Sequence, residues 1–125
     1  MSANIAPHGP LPKLPEGNTK IQLGALVFDG FDLLDVMGPM RIFGEENNKL
    51  DIVINFISSS LEPVRSTQQV TITPHYTLDT APKMDLFFIP GGIGTRTYAN
   101  NSDLLNKVIA RIQEATWCMT VCTGA

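Results

Sequence analysis

The sequence predicts an α/β fold, a parallel sheet covered on both faces by helices. Compact apolar runs alternate with stretches whose apolar residues recur at helical spacing, and that alternation implies crossover connections and parallel strands. The apolar runs end on turn residues, in the order Asp29-Gly30, Pro90-Gly91-Gly92 and Cys122-Thr123-Gly124. The composition is that of a folded chain, with 43% hydrophobic and 17% charged residues over 125 positions, enough for one domain.

Taken in order, residues 1–19 carry four prolines and read as a flexible leader, a segment without the apolar or arginine-rich pattern of a targeting peptide. "KIQLGALVFDG" (20–30) reads as a strand buried on both faces. In "FDLLDVMGPMRIFGEENN" the apolar spacing fits a helix, and Pro39 places its expected start near Gly38-Pro39, with Asp35 just ahead of it. "DIVINFISSS" is a second strand, and "PVRSTQQVTITPHYTL" reads as two short antiparallel strands around a polar turn. "KMDLFFIPGGIGT" is a third core strand broken at Pro90. "NNSDLLNKVIARIQEAT" is a helix with Ser102 as its expected N-cap, and "WCMTV" is a fourth strand running into Cys122. Phe87, Phe88 and Trp117 read as core packing.

Composition also narrows function. The net charge is −3 with scattered basic residues, which argues against a nucleic-acid footprint. No apolar run reaches membrane-span length. The two cysteines, Cys118 and Cys122, lack a nearby histidine or third thiol, so neither a metal site nor any cofactor is indicated. A reducing, cytoplasmic compartment with free thiols is the expectation.

A parallel sheet gathers ligands at the carboxyl ends of its strands, and three segments converge there: Asp35, Pro90-Gly91-Gly92 and Cys122. A cysteine on a sharp strand-to-helix turn is pushed out of the core, and a helix N-terminus favours its thiolate. Cys122, with Gly124 giving room for the turn, is therefore a candidate nucleophile; the competing reading is a small apolar residue ending a buried strand. Asp35, a carboxylate among apolar neighbours, is a candidate acid–base group or simply a helix cap, and Asp32 competes for either role. Gly91 and Gly92 offer backbone N–H groups to an anion or oxyanion, or serve a plain turn. The glycines match neither phosphate-binding pattern. Cys118 reads as buried and inert in mid-strand, and His75 as a surface strand residue.

Taken together, "VFDGFDLLDVMGP", "DLFFIPGG" and "VCTGA" resemble the ThiJ/PfpI superfamily, with its class I glutamine amidotransferase-like fold. Asp-x-x-Gly-Pro after the first strand, with Cys-Thr-Gly at the elbow, is most similar to the isonitrile hydratase branch. The resemblance implies a flavodoxin-like sandwich, usually a homodimer, acting on a small molecule. It implies Cys122 as the elbow nucleophile, Asp35 as its acidic partner, Thr123 as a polar active-site residue, and Gly91 and Gly92 as the pocket-lining turn. The implied reaction is hydration of an isonitrile to an N-substituted formamide. The superfamily also hosts glyoxalase-like and deglycase-like enzymes, and non-catalytic ligand-sensing domains fused to helix-turn-helix regulators. Intracellular-protease members carry histidine after the cysteine; Thr123 stands there instead, against a Cys-His dyad. By the same resemblance, residues 20–125 are expected to be the N-terminal portion of such a domain, cut just after the elbow.

Overall fold

A computed structural model describes residues 20–45 and 51–125; the leader, with His8, lies outside them. Seven strands and three α-helices follow in the order β1 (Lys20–Leu26), α1 (Leu33–Phe43), β2 (Asp51–Ser58), β3 (Val64–Arg65), β4 (Thr71–Ile72), β5 (Tyr76–Thr77), β6 (Leu86–Ile89), α2 (Thr95–Ala99), α3 (Ser102–Glu114) and β7 (Trp117–Thr120). A single 3₁₀ turn, Cys122–Gly124, closes the described chain. Five strands form one sheet in the order β5-β2-β1-β6-β7, and every pair in it is parallel.

The centre of the sheet is β1, paired along its whole length with β2 and by Leu23 to Ala25 with β6. Helix residues such as Val36, Met40 and Val108 share its core and cover the sheet's faces, which is why its sequence is nearly continuous in apolar residues. Leu23, Ala25, Phe87, Phe88 and Ile57 are completely buried, and burial of a phenylalanine ring stabilises by about 1.5–3 kcal/mol. Gly24 is part of this packing, since a Cβ there would meet Ile57 Cδ1 at 2.7 Å and Met84 Cγ at 2.8 Å.

Four expectations need correction. Helix α1 starts at Leu33, not at Gly38-Pro39, so Asp35 lies in its first turn and Pro39 in its interior. Asp32 is the N-cap, its Oδ1 accepting from Asp35 N–H at 3.2 Å, so Asp35 is the capped residue rather than the cap. Gln68 seconds that start: its Oε1 accepts from Leu33 N–H at 3.0 Å, and its amide donates to Asp32 Oδ2 at 3.4 Å. The early start brings Val36 and Met40, four residues apart, into the core. Pro39 costs the helix one bond, because it has no N–H for the Asp35 carbonyl, and Gly38 eases the entry by lacking the Cβ that would crowd the proline ring.

The cap of α3 is Asn101, whose Oδ1 accepts from Leu104 N–H at 3.2 Å; Ser102 is the first helical residue. The excursion after β2 does contain an antiparallel pair, β3 with β4, but Tyr76 and Thr77 go on to join the main sheet beside β2. The short helix α2 carries too few apolar residues at helical spacing to announce itself in the sequence. Cys118 is exposed rather than buried, because β7 is an edge strand and its residues 118–120 are uncovered among the described residues. Partial desolvation still pushes its thiol above the usual range.

One buried side chain has no hydrogen-bond partner among the described residues, the Tyr98 hydroxyl. Its ring packs against Phe28 at 5.4 Å between centroids. Burial raises its pKa above the ordinary tyrosine value; Ser59 and Ser58 lie near enough to oppose that shift without reaching hydrogen-bond geometry. Tyr98→Phe removes the orphaned group and is expected to stabilise the fold by about 1 kcal/mol in urea unfolding. The sign of the pH effect is fixed by the raised folded-state value. Wild type holds its full stability below about pH 10, the unfolded tyrosine value, and loses some as pH rises beyond it. The phenylalanine variant should lack that component of the alkaline loss.

Candidate functional site

The chain leaves β1 for β2 on one side of the sheet and later returns to β6 on the other, so the strand order reverses between β1 and β6. A crevice opens at the carboxyl ends of strands where such a reversal occurs. Asp35 reaches it from α1, after β1; Pro90-Gly91-Gly92 reaches it from β6; and Cys122 arrives from the neighbouring β7.

The three meet around Gly91. A Cβ placed on Gly91 would lie 2.8 Å from Cys122 Cβ, 2.9 Å from Asp35 Oδ2 and 2.9 Å from the Thr123 nitrogen. Thiol-bearing carbon, carboxylate oxygen and elbow backbone thus all approach one point, and only glycine leaves room for them. The contacts are specific as well as close. Gly91 N–H donates to Asp35 Oδ2 at 3.2 Å, and Asp32 N–H donates to the Gly91 carbonyl at 2.9 Å. The β6 turn and the start of α1 are therefore tied in both directions.

Gly92 is held as tightly. Its φ is +129°, a region that side-chain-bearing residues rarely adopt, and a Cβ would fall 2.3 Å from the Gly30 carbonyl oxygen. Its N–H donates to Thr123 Oγ1 at 3.1 Å. The two N–H groups expected to be bare for an anion are thus engaged by Asp35 and Thr123, and the turn acts as a scaffold that fixes both side chains.

Cys122 has φ +55°, one of two residues other than glycine with positive φ among those described. Such a conformation costs of order 1–3 kcal/mol and survives only where its surroundings enforce it. Here they do: Val121 N–H bonds to the Ile89 carbonyl, and Gly124 N–H bonds back to Val121. Gly124 lets the turn press on β6, for a Cβ there would meet the carbonyl oxygens of Ile89 and Pro90 at 2.4 and 2.5 Å. The strain turns the Cys122 side chain out of the strand, and the residue is exposed. The reading of Cys122 as a buried strand-ending residue fails on that exposure. The helix N-terminus expected to favour its thiolate is, among the described residues, a three-residue 3₁₀ turn.

A cleft of about 360 Å³ is lined by Ile89, Tyr98, Val108 and Ile112 together with Thr123 and Gly124. It is apolar and adjoins the elbow, but neither Cys122 nor Asp35 lines it. His75 is remote in role: it is exposed, its Nδ1 accepts from Phe56 N–H at 2.9 Å, and its ring stacks on Phe56. Two participants escaped the sequence reading. Gln68 braces the α1 start, and Thr95 donates through Oγ1 to the Gly92 carbonyl at 2.9 Å. Both are ordinary polar residues in loop-like contexts, and only the folded proximity of distant segments marks them. Among the described residues no three metal-binding side chains converge, and no helix is long and apolar enough to cross a membrane.

An open parallel sheet with a positive-φ cysteine turn and a carboxylate brought together beside its switch point defines an open-sheet α/β protein. The chain belongs to the DJ-1/PfpI family, whose sequence model matches residues 23–125. It is 26% identical over 105 residues to the isonitrile hydratase of Pseudomonas putida, covering 84% of this chain and 45% of that protein. It is 30% identical over 101 residues to an uncharacterized protein of the cpoL 5' region in Streptomyces lividans, covering 80% of this chain and 72% of that one. The crystal structure of a ThiJ/PfpI family protein from Pseudomonas syringae superposes with a TM-score of 0.76 at 30% identity, over 94% of this chain and 50% of that one. The five-stranded parallel sheet flanked by helices is the flavodoxin-like fold of these proteins. The chain spans about half the length of the isonitrile hydratase and of the P. syringae protein.

Proposed function

We propose that the protein to which this chain belongs is a cysteine-dependent hydratase that converts an isonitrile to an N-substituted formamide. The observation that carries the reading is the convergence of Cys122 and Asp35 on Gly91, each within 3.0 Å of one point. The likeness to the P. putida enzyme supports the choice of substrate.

The terminal carbon of R–N≡C is both a lone-pair donor and, once protonated, an electrophile. In the proposed sequence Asp35 gives its proton to that carbon while the Cys122 thiolate attacks it, leaving a thioimidate, R–N=CH–S–Cys122. The Asp35 carboxylate then takes a proton from water as the water oxygen adds to the same carbon, and passes that proton to nitrogen. Collapse of the adduct, R–NH–CH(OH)–S–Cys122, breaks the carbon–sulfur bond and releases the formamide. The hydroxyl proton returns to Asp35, which restores the starting pair. One water is consumed and no redox change occurs. The bond from Gly91 N–H orients the carboxylate through both halves of the cycle.

The test supplies cyclohexyl isocyanide and follows N-cyclohexylformamide by chromatography. Absence of product from wild-type protein would sink the proposal. Asp35→Asn should lower kcat by about 10²–10⁴-fold with the circular dichroism spectrum unchanged. Turnover near wild type in that variant would leave Asp35 a purely structural tie to Gly91.

A further inference from the structure

The hydroxyl of Thr123 can be assigned a direction by counting donors and acceptors at Gly92, and the count rests on the reading of this site as a hydratase only for its catalytic consequence. A backbone carbonyl has two lone pairs. Both lone pairs of Gly92 are taken by Thr95, whose backbone N–H donates at 3.1 Å and whose Oγ1 donates at 2.9 Å. Thr123 Oγ1 lies 3.4 Å from the same carbonyl, a longer approach to an acceptor already filled. Its oxygen is occupied as well, accepting Gly92 N–H at 3.1 Å. Its remaining neighbour is Thr95 Oγ1, again at 3.4 Å. The proton of Thr123 therefore has no strong acceptor among the described residues, and the residue is exposed beside Cys122.

We propose that Thr95 is a positioning residue: by filling the Gly92 carbonyl it denies that acceptor to Thr123, so the Thr123 hydroxyl offers its proton to substrate. The acceptor it meets is the nitrogen or oxygen lone pair that appears when the isonitrile carbon is attacked and hydrated. Gly92 N–H, donating into the same hydroxyl oxygen, makes that proton a better donor. The specificity consequence follows. A substrate gains from Thr123 only if its reacting centre develops a lone pair next to the attacked carbon.

Two measurements test the assignment. Neutron diffraction from crystals of the perdeuterated protein locates the hydroxyl deuterons directly. A Thr95 deuteron on the Gly92 carbonyl, with the Thr123 deuteron directed elsewhere, is expected; a Thr123 deuteron on that carbonyl overturns the proposal whether or not the protein is active. The second is a double-mutant cycle on cyclohexyl isocyanide hydration. Thr95→Val frees the carbonyl, lets Thr123 turn back to it, and should lower kcat about tenfold with little change in KM. Thr95→Ser, which keeps the hydroxyl, should stay within about twofold of wild type. In a Thr123→Val background, Thr95→Val should cost nothing further. Additive losses, or a loss confined to KM, overturn the proposal. If wild-type protein makes no formamide, the hydratase reading falls, and the deuteron positions still decide the role of Thr95.

Discussion

Cys122→Ala is expected to reduce isonitrile hydration by at least about 10³-fold, the scale on which removal of a covalent nucleophile acts. Little else changes in the fold. Alanine keeps the Cβ that packs toward Gly91, and it leaves the elbow hydrogen bonds of Val121 and Gly124 untouched, since these run through the backbone. The protein should fold as before, so the loss falls on chemistry. Mass spectrometry of wild type held briefly with substrate should find the added thioimidate mass on the peptide bearing Cys122. Alanine at 122 retaining more than a tenth of wild-type turnover would exclude a covalent route and leave Asp35 to activate water alone.

Gly92→Ala should be among the most damaging single changes to stability, at about 2–6 kcal/mol in denaturant unfolding. Two costs add. The φ of +129° belongs to a region that alanine enters only at a penalty of about 1–3 kcal/mol. The new methyl would also meet the Gly30 oxygen at 2.3 Å, the Asp32 nitrogen at 2.7 Å and the Phe31 carbonyl carbon at 2.9 Å, all of them backbone atoms. Backbone cannot swing aside as a side-chain tip does, so the loop ahead of α1 must move, at a further cost of about 1–3 kcal/mol. That loop carries Asp32, the cap of the helix holding Asp35, and activity should fall in the surviving folded fraction too. A variant that unfolds at the wild-type denaturant midpoint would show that the turn adapts more freely than its contacts allow.

How far the sequence reaches is seen by comparing residues within this one site. The meeting of Asp35 and Cys122 is legible because a parallel sheet gathers the segments that follow its strands at one edge, and both lie against Gly91. The central strand β1 and the phenylalanines of β6 are legible because burial on both faces leaves an uninterrupted apolar run. The start of α1 was not, because Pro39 is a strong local stop signal and it was overruled from outside the segment. Gln68, some thirty-five residues away, and the burial of Val36 and Met40 set the helix boundary. The exposure of Cys118 was hidden for a similar reason: the residue types of β7 suit an interior strand, and among the described residues it stands at the sheet edge. Thr95 lay beyond reach because its importance consists in which carbonyl it fills. Local propensity is visible in one dimension; competition for an acceptor is not.

The hydrogen bond between Gly91 and Asp35 joins residues 56 positions apart, and the one between Gly92 and Thr123 spans 31. The first cannot form until β6 has docked beside β1, nor the second until β7 has docked against β6, so the site has no local precursor in the unfolded chain. Closing loops of that size is slow relative to forming the helices, and parallel pairing adds to the delay. In a refolding experiment the helical signal should therefore return before the Cys122–Asp35 arrangement does. The Cys122–Asp35 arrangement is the last part of the fold to assemble, and a species folded only locally would carry the thiol without its carboxylate neighbour.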